Sequence, residues 1–164
     1  DAAICYDYDE AGNRTAKTEG NQETRYRYDS LNRLTEVRRR TGTDGTETLI
    51  ARYGYDPQNR RLWKEQYWDR TGQALNPARR TYYLYADEGL IAEAEQDISL
   101  GQDGSLTAAG QPQITKQYGI KPGNPFTTGL LFVKTKDTRG ETTFAYYHHD
   151  HLGVPLQATD RQPA

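Results

Sequence analysis

The residues in this 164-residue chain best suited to chemistry are His148, His149, Asp150 and His151. Imidazoles beside a carboxylate could bind a metal ion or exchange protons near neutral pH. On an extended strand His149 and His151 would share a face, which makes a two-histidine site geometrically possible. No third ligand with metal-site spacing lies nearby, so a metal-dependent hydrolase centred on His149 and His151 has only that pair to build on. The chain also lacks a glycine-rich phosphate loop, a serine or cysteine nucleophile in a recognisable frame, and a telling pair of carboxylates. The expected catalytic, metal-binding and cofactor-binding sets are therefore empty, and no enzymatic activity is expected.

A different account of the histidines comes from a pattern that runs through the chain. In Tyr26-Arg27-Tyr28-Asp29-Ser30-Leu31-Asn32 the two tyrosines lie two residues apart, so on a strand both rings point the same way. Asp29 can close an Asx-turn and Asn32 tolerates the left-handed conformation, so the stretch reads as strand, tight reversal, strand. The same register recurs at Tyr6/Tyr8/Asp9/Gly12, at Tyr53/Tyr55/Asp56/Asn59 and at Tyr83/Tyr85/Ala86/Gly89. A fifth copy is Tyr147/His149/Asp150/Gly153, in which His149 takes the second tyrosine's place and Asp150 closes the turn. Two residues before each first aromatic stands a small or β-branched residue: Ile4, Thr24, Ala51, Thr81 and Ala145. A worn sixth copy fits at Tyr118/Ile120 with Asn124.

Repeats spaced by roughly 20–50 residues point to an array of supersecondary units. If successive hairpins lie side by side, each tyrosine pair falls beside the next and forms an aromatic ladder. Gly or Asn is needed four residues after the second aromatic because other residues meet a steric cost at positive φ.

Composition agrees with thin sheets in place of a thick core. Hydrophobic residues make up 34% of the chain, Met is absent, and 13 tyrosines carry much of the apolar surface; mean hydropathy is −1.01. A net charge of −2 gives no electrostatic case for nucleic acid. Arg38-Arg39-Arg40, the only basic run, is expected at a solvated hairpin end. Cys5 is alone and permits no internal disulfide. No apolar run has the length of a membrane span or a signal segment. The pattern is already under way at the first residues, as expected of a piece of something longer.

Along the chain, residues 1–95 read as regular hairpins, 96–128 as an irregular Gly/Pro-rich excursion holding the worn copy, and 129–164 as final strands. Opposite parity of Leu34 and Val37 predicts a bulge in the second return strand. Trp63 and Tyr67 are expected on one strand face. Thr43-Asp44-Gly45-Thr46, Asp69 to Gln73, Asp103-Gly104 and Asp137 to Gly140 are turn signals, and Asn76-Pro77 is read as a break. Leu130-Leu131-Phe132-Val133 is expected to be a buried strand. No segment carries a helical period. The fold expected is all-β: antiparallel hairpin repeats forming a curved sheet.

Repeated Tyr-x-Tyr-Asp followed by Gly or Asn resembles the YD repeats of RHS proteins. Tyr118-Gly119-Ile120-Lys121-Pro122 is similar to the region near the end of those repeats. Tyr146 to Pro155, with Asp150-His151-Leu152-Gly153-Val154-Pro155, resembles the element that opens the RHS core. The resemblance implies a strand ribbon spiralling into a hollow shell, of which this chain would be part of the wall. In bacterial members the shell encloses a C-terminal toxin, delivered by type VI secretion or within toxin complexes, so the implied location is extracellular delivery; teneurins carry a similar shell. The implied partners are the remainder of the shell and the enclosed toxin, with self-association through exposed sheet edges. Self-cleavage residues of the family lie downstream of the core and none is carried over here. The alternative is an adhesin-like surface β module that stacks sugars on Tyr and Trp rings.

Overall fold

The computed structural model describes residues 3–42, 46–69, 71–87, 89–101, 103–137 and 139–160. Twelve strands follow one another in chain order, each hydrogen-bonded to its sequence neighbours in one sheet. They are β1 (Ile4–Tyr8), β2 (Arg14–Glu19), β3 (Gln22–Tyr28), β4 (Leu34–Thr41), β5 (Glu47–Tyr55) and β6 (Arg61–Trp68). Then come β7 (Ala74–Ala86), β8 (Gly89–Leu100), β9 (Leu106–Ile120), β10 (Leu130–Lys136), β11 (Thr142–His149) and β12 (Pro155–Asp160). One short helix, α1 (Phe126–Gly129), interrupts the connection from β9 to β10. The protein is all-β, as the hairpin pattern predicts. No helix among the described residues is long and apolar enough to cross a membrane.

The chain divides into two compact units. The first holds residues 1–80 with 97–108, the second 81–96 with 109–164. In the first, β1 to β6 pair antiparallel with defined register. In the second, β9 to β12 do the same.

Four of the repeat hairpins carry a bulge at the same place. Tyr28 pairs with Leu34 and Arg27 with Glu36, leaving Thr35 as the extra residue on the return strand. Thr15, Leu62 and Leu156 occupy the same position after Tyr8, Tyr55 and His149. This is the bulge that the parity of Leu34 and Val37 predicts. The Thr35 hydroxyl donates to the Arg27 carbonyl at 3.1 Å, using an acceptor on the facing strand. A bulge of this kind increases the local twist of the hairpin that carries it.

The cores are thin. In the first unit Leu49, Tyr67, Ala78 and Ile98 cluster, with Trp68 packed against them. Burying Ile98, which is 1% exposed, stabilises by about 1.5–3 kcal/mol. Elsewhere the buried apolar side chains are mostly small: Ala16 and Ala51 in this unit, Ala92, Ala94 and Leu130 in the other. Ion pairs cover a face of β3–β5. Glu36 accepts from Arg38 at 2.6 Å and Arg52 at 3.1 Å, and Arg25 bridges Glu23 and Glu47 at 2.9 and 2.8 Å.

Several sequence expectations need correction. Arg38 is not at a solvated hairpin end: it lies within β4 and is held by Glu36, because neighbouring strands present carboxylates to it. The stretch 96–128 is largely regular strand, since β8 runs to Leu100 and β9 spans 15 residues. Most of β9 is exposed, so its Gln, Thr, Ala and Gly residues carry no apolar alternation to be read. Asn76-Pro77 does not break the chain; its cis peptide lies inside β7. The run at 130–133 is a strand, but Leu130 is buried while Leu131 is 44% exposed, because the register with β9 shifts there and leaves Leu131 unpaired with that strand. The turn signal at Thr43-Asp44-Gly45 lies outside the described residues.

Two glycines admit a facing aromatic ring. Gly54 pairs with Trp63 and Gly119 with Phe132, and a Cβ on either would come within 2.3 or 2.2 Å of that ring. Gly54→Ala must push Trp63 off its seat, and overpacking of this kind costs about 1–3 kcal/mol. Urea denaturation should show that loss; an unchanged midpoint would mean the ring is free to move.

Candidate functional site

Among the described residues the histidine cluster does not assemble. β11 ends at His149, Asp150 closes the following turn and His151 is exposed within it, so His149 and His151 do not share a strand face. His148 Nε2 lies 2.8 Å from Thr159 Oγ1. Asp150 spends one carboxylate oxygen on the amides of Leu152 and Val154 at 2.8 and 2.9 Å. A turn-closing carboxylate is committed to its own backbone, which is the reason the cluster is local structure.

What the structure brings together is the repeated turn. In the four copies that have the Asp, its carboxylate accepts from the amide four residues on, and in two of them a bond from the amide two residues on joins it. Asp29 Oδ1 takes Leu31 and Arg33 at 2.9 and 3.0 Å. Asp9 takes Asn13 and Asp56 takes Arg60, both at 2.8 Å. Asp backbone groups complete the loop: Asp29 N donates to Arg33 O, and Asn32 N donates to Asp29 O, both at 3.0 Å. Positive φ follows at the expected places: Gly12 (83°), Asn32 (59°), Asn59 (63°) and Gly153 (80°).

The residue after that left-handed position has a second task. Asn13, Arg33 and Arg60 each turn back to the second carboxylate oxygen, at 3.0, 2.7 and 2.6 Å. Two of them also reach forward. Asn13 Nδ2 donates to Asn32 Oδ1 at 2.8 Å, and Arg33 donates to the Asp56 carbonyl at 2.8 Å and Asn59 Oδ1 at 3.2 Å. Successive turns of the first unit are thereby tied side to side.

The tyrosines continue the linkage. Tyr28 donates its hydroxyl to the Arg14 carbonyl at 3.1 Å, and Tyr55 donates to the Leu34 carbonyl at 2.9 Å. Arg14 and Leu34 are the same position of successive return strands, the first residue to pair after each turn. Tyrosine strands alternate with return strands, so Tyr6, Tyr26 and Tyr53 do not lie on neighbouring strands as a simple aromatic ladder requires. Arginine spans part of that gap: Arg14 lies 5.6 Å from the Tyr6 ring centre and 4.6 Å from that of Tyr26. Arg33 covers Tyr55 and Arg61 covers Tyr53, each at 5.0 Å.

The remaining copies show how the pattern wears. Ala86 supplies no carboxylate, while Gly89 keeps positive φ (127°), and Tyr83 and Tyr85 stay half-buried. In the sixth copy Asn124 N still donates to Lys121 O at 3.0 Å, but Lys121 N reaches Gly129 O at 2.7 Å across α1. The helix is an insertion inside the turn. In the fifth copy Tyr147 and His149 are half-buried, and the His149 Nε2 atom is enclosed without a partner.

Two further turns carry the same chemistry without a tyrosine pair. Asp69 accepts from Thr71 and Gln73, both at 2.8 Å, and Asp137 from Arg139 and Glu141 at 2.9 and 2.8 Å. Asp followed three residues later by Gly is the signal that finds them. Sequence reasoning missed two buried polar triads. Glu65, 1% exposed, accepts from Tyr67 at 2.7 Å and from Arg80, whose guanidinium lies 5.5 Å from the Trp63 ring centre. Glu93 accepts from Tyr118 at 2.5 Å and Lys116 at 3.0 Å. Burial first, then the bonded carboxylate, pushes the phenols of Tyr67 and Tyr118 well above the ordinary range, so both remain donors.

The turn carboxylates are held below their ordinary range. For Asp9 the main cause is the Asn13 side chain, for Asp69 the Gln73 amide. For Asp29 and Asp56 partial burial opposes ionisation, and hydrogen bonds from Arg33 and Arg60 outweigh it. A carboxyl whose folded pKa is depressed adds stability above its unfolded value of 3.8, and that stability is lost as pH falls through the folded value. The urea midpoint should therefore hold from neutral pH to about pH 5 and drop steeply below it. Asp29→Asn with Asp56→Asn should flatten the drop; an equally steep fall in that variant would assign acid sensitivity to other groups. Tyr55→Phe should cost about 0.5–1.5 kcal/mol by removing the bond to Leu34, against no change if that bond is dispensable.

Residues 8–44, which include the first two repeat turns and β2–β4, match the family model of the RHS repeat. Toxin protein Tse5 of Pseudomonas aeruginosa is 27% identical over 93% of this chain, which spans 13% of that protein's length. Among solved structures, a TcdB2-TccC3-TEV structure aligns over 98% of this chain and 11% of its own, with TM-score 0.35 and 13% identity. A Photorhabdus luminescens Tc holotoxin pore aligns over 100% of this chain and 11% of its own, with TM-score 0.34 and 15% identity. Residues 8–44 thus carry RHS-repeat sequence, and the aspartate-anchored turn within them recurs in both units.

Proposed function

We propose that this chain is a wall segment of an RHS shell that encloses a C-terminal toxin for delivery outside the producing cell. The observation that carries the reading is the hairpin-to-hairpin linkage, in which Tyr28 and Tyr55 bond the preceding return strand while Asn13 and Arg33 bond the next turn. Such links let hairpins be added along a ribbon without a thick core to bury. The likeness to a toxin protein several times longer supports a role as part of a larger whole. Containment needs no reaction step, and the repeat residues serve it by holding register.

Within that wall, residues 1–95 supply the regular hairpins, 96–128 the long-stranded section with the worn copy, and 129–164 the last strands leading into the core element. The partners are the rest of the shell and the cargo. β1 and β12 have a paired neighbour on one side only and expose Ile4, Tyr6, Tyr8 and Leu156, so they are the edges at which further wall or a second copy adds.

Limited proteolysis of the longer gene product that contains this chain tests the reading. The C-terminal segment should resist protease while the hairpins are folded and become cleavable once denaturant opens them. Digestion of that segment in the native protein at the rate of a free polypeptide would overturn it.

A further inference from the structure

A face of β9–β11, within the second unit, carries a cavity of about 330 Å³ that the wall role does not use. Thr115, Gln117, Lys134, Lys136, Gly140 and Thr142 line it. Register explains the grouping: Lys134 stands between Gln117 on β9 and Phe144 on β11, and Lys136 stands opposite Thr142. Residues two apart on a strand share a face and lie about 7 Å apart along it, so both lysines address the same space.

Three observations give this cavity a chemical preference. Among the described residues neither Lys134 nor Lys136 is in an ion pair, whereas Lys116 on β9 is held by Glu93. Thr115 Oγ1 is enclosed and has no hydrogen-bond partner. Beside Lys134, Phe144 and Tyr146 are 37% and 39% exposed and stack at 6.4 Å, with Phe132 seated on Gly119 beneath them. A site with two unneutralised ammonium groups, an orphaned hydroxyl donor and an adjoining aromatic surface lacks an anion with an apolar neighbour.

We infer that this face binds an acidic segment of polypeptide, with an Asp or Glu carboxylate between Lys134 and Lys136 and an adjacent apolar side chain against Phe144. The cavity has room for a side chain with its backbone, and a neutral sugar would leave both ammonium groups without a counter-charge. The inference goes beyond the wall reading and stands or falls separately, because it concerns binding by this chain whatever surrounds it.

Titration of ¹⁵N-labelled protein with acetyl-Glu-Phe-Glu-amide tests it, beside acetyl-Gln-Phe-Gln-amide, sodium phosphate and maltose. The acidic peptide should move the amide signals of Gln117, Lys134, Lys136 and Thr142, with an apparent Kd that rises with salt. Lys134→Gln combined with Lys136→Gln should weaken binding about tenfold or more while leaving the other amide signals in place. Should that double variant lose its folded spectrum, Lys136→Gln alone and the salt series carry the comparison. No shifts at peptide concentrations on the order of 10 mM would overturn the inference. So would equal binding of the glutamine peptide or of maltose, or the same shifts with phosphate alone.

Discussion

An aspartate carboxylate that accepts two backbone amides at the start of a reversal sets the terms for the rest of this structure. Once Asp29 holds the amides of Leu31 and Arg33, the chain has one way to turn, and Asn32 must take positive φ. The return strand then enters with Leu34 opposite Tyr28, and Thr35 is left over as a bulge. That single offset decides which residues meet the next hairpin. It puts the Leu34 carbonyl where the Tyr55 hydroxyl can reach it, and the Arg14 carbonyl where that of Tyr28 can. Turn chemistry, strand register and contact between hairpins are therefore one constraint expressed at three distances.

The thin core follows from the same economy. A sheet with few large apolar residues to bury must fill its covered positions with groups that bond each other. Glu65 and Glu93 do so, each between a tyrosine hydroxyl and a cation. Buried ion pairs add little net stability, since desolvating the charges offsets most of their attraction, but removing one partner leaves an uncompensated charge. Glu65 thus favours the one register in which Tyr67 and Arg80 both reach it. The mean hydropathy of −1.01 is what a protein looks like when register is specified by polar contacts and ring burial more than by aliphatic packing.

The Tyr-x-Tyr-Asp spacing made the hairpins, their turns and the bulge after Tyr28 legible, because period-2 alternation and the positive-φ preference of Gly and Asn act within a few residues. The reading found reversals at Asp69 and Asp137 but, anchored on rings, did not connect them to the repeat's turn, because Gln66 and Trp68, or Lys134 and Lys136, precede the aspartate. β9 stayed hidden for another reason. Its exposed Gln, Thr and Ala residues are compatible with strand but do not demand it, so neighbouring strands decide its conformation. Tyr118 bonding Glu93, 25 residues earlier, is likewise a tertiary contact that no local spacing announces.

Exposure along the tyrosine series separates the effect of the ring from that of its neighbours. Tyr28 and Tyr55 occupy identical positions in their hairpins, each has a return strand on its far side, and both are half-buried. Tyr8 has the same place in the pattern, yet it is 61% exposed, and β1 has no strand beyond it in the sheet. Burial of the ring is therefore not a property of the hairpin that carries it. It is conferred by the preceding return strand, whose first paired residue offers its carbonyl to the hydroxyl. Each hairpin in this way completes the burial of a ring in the one after it.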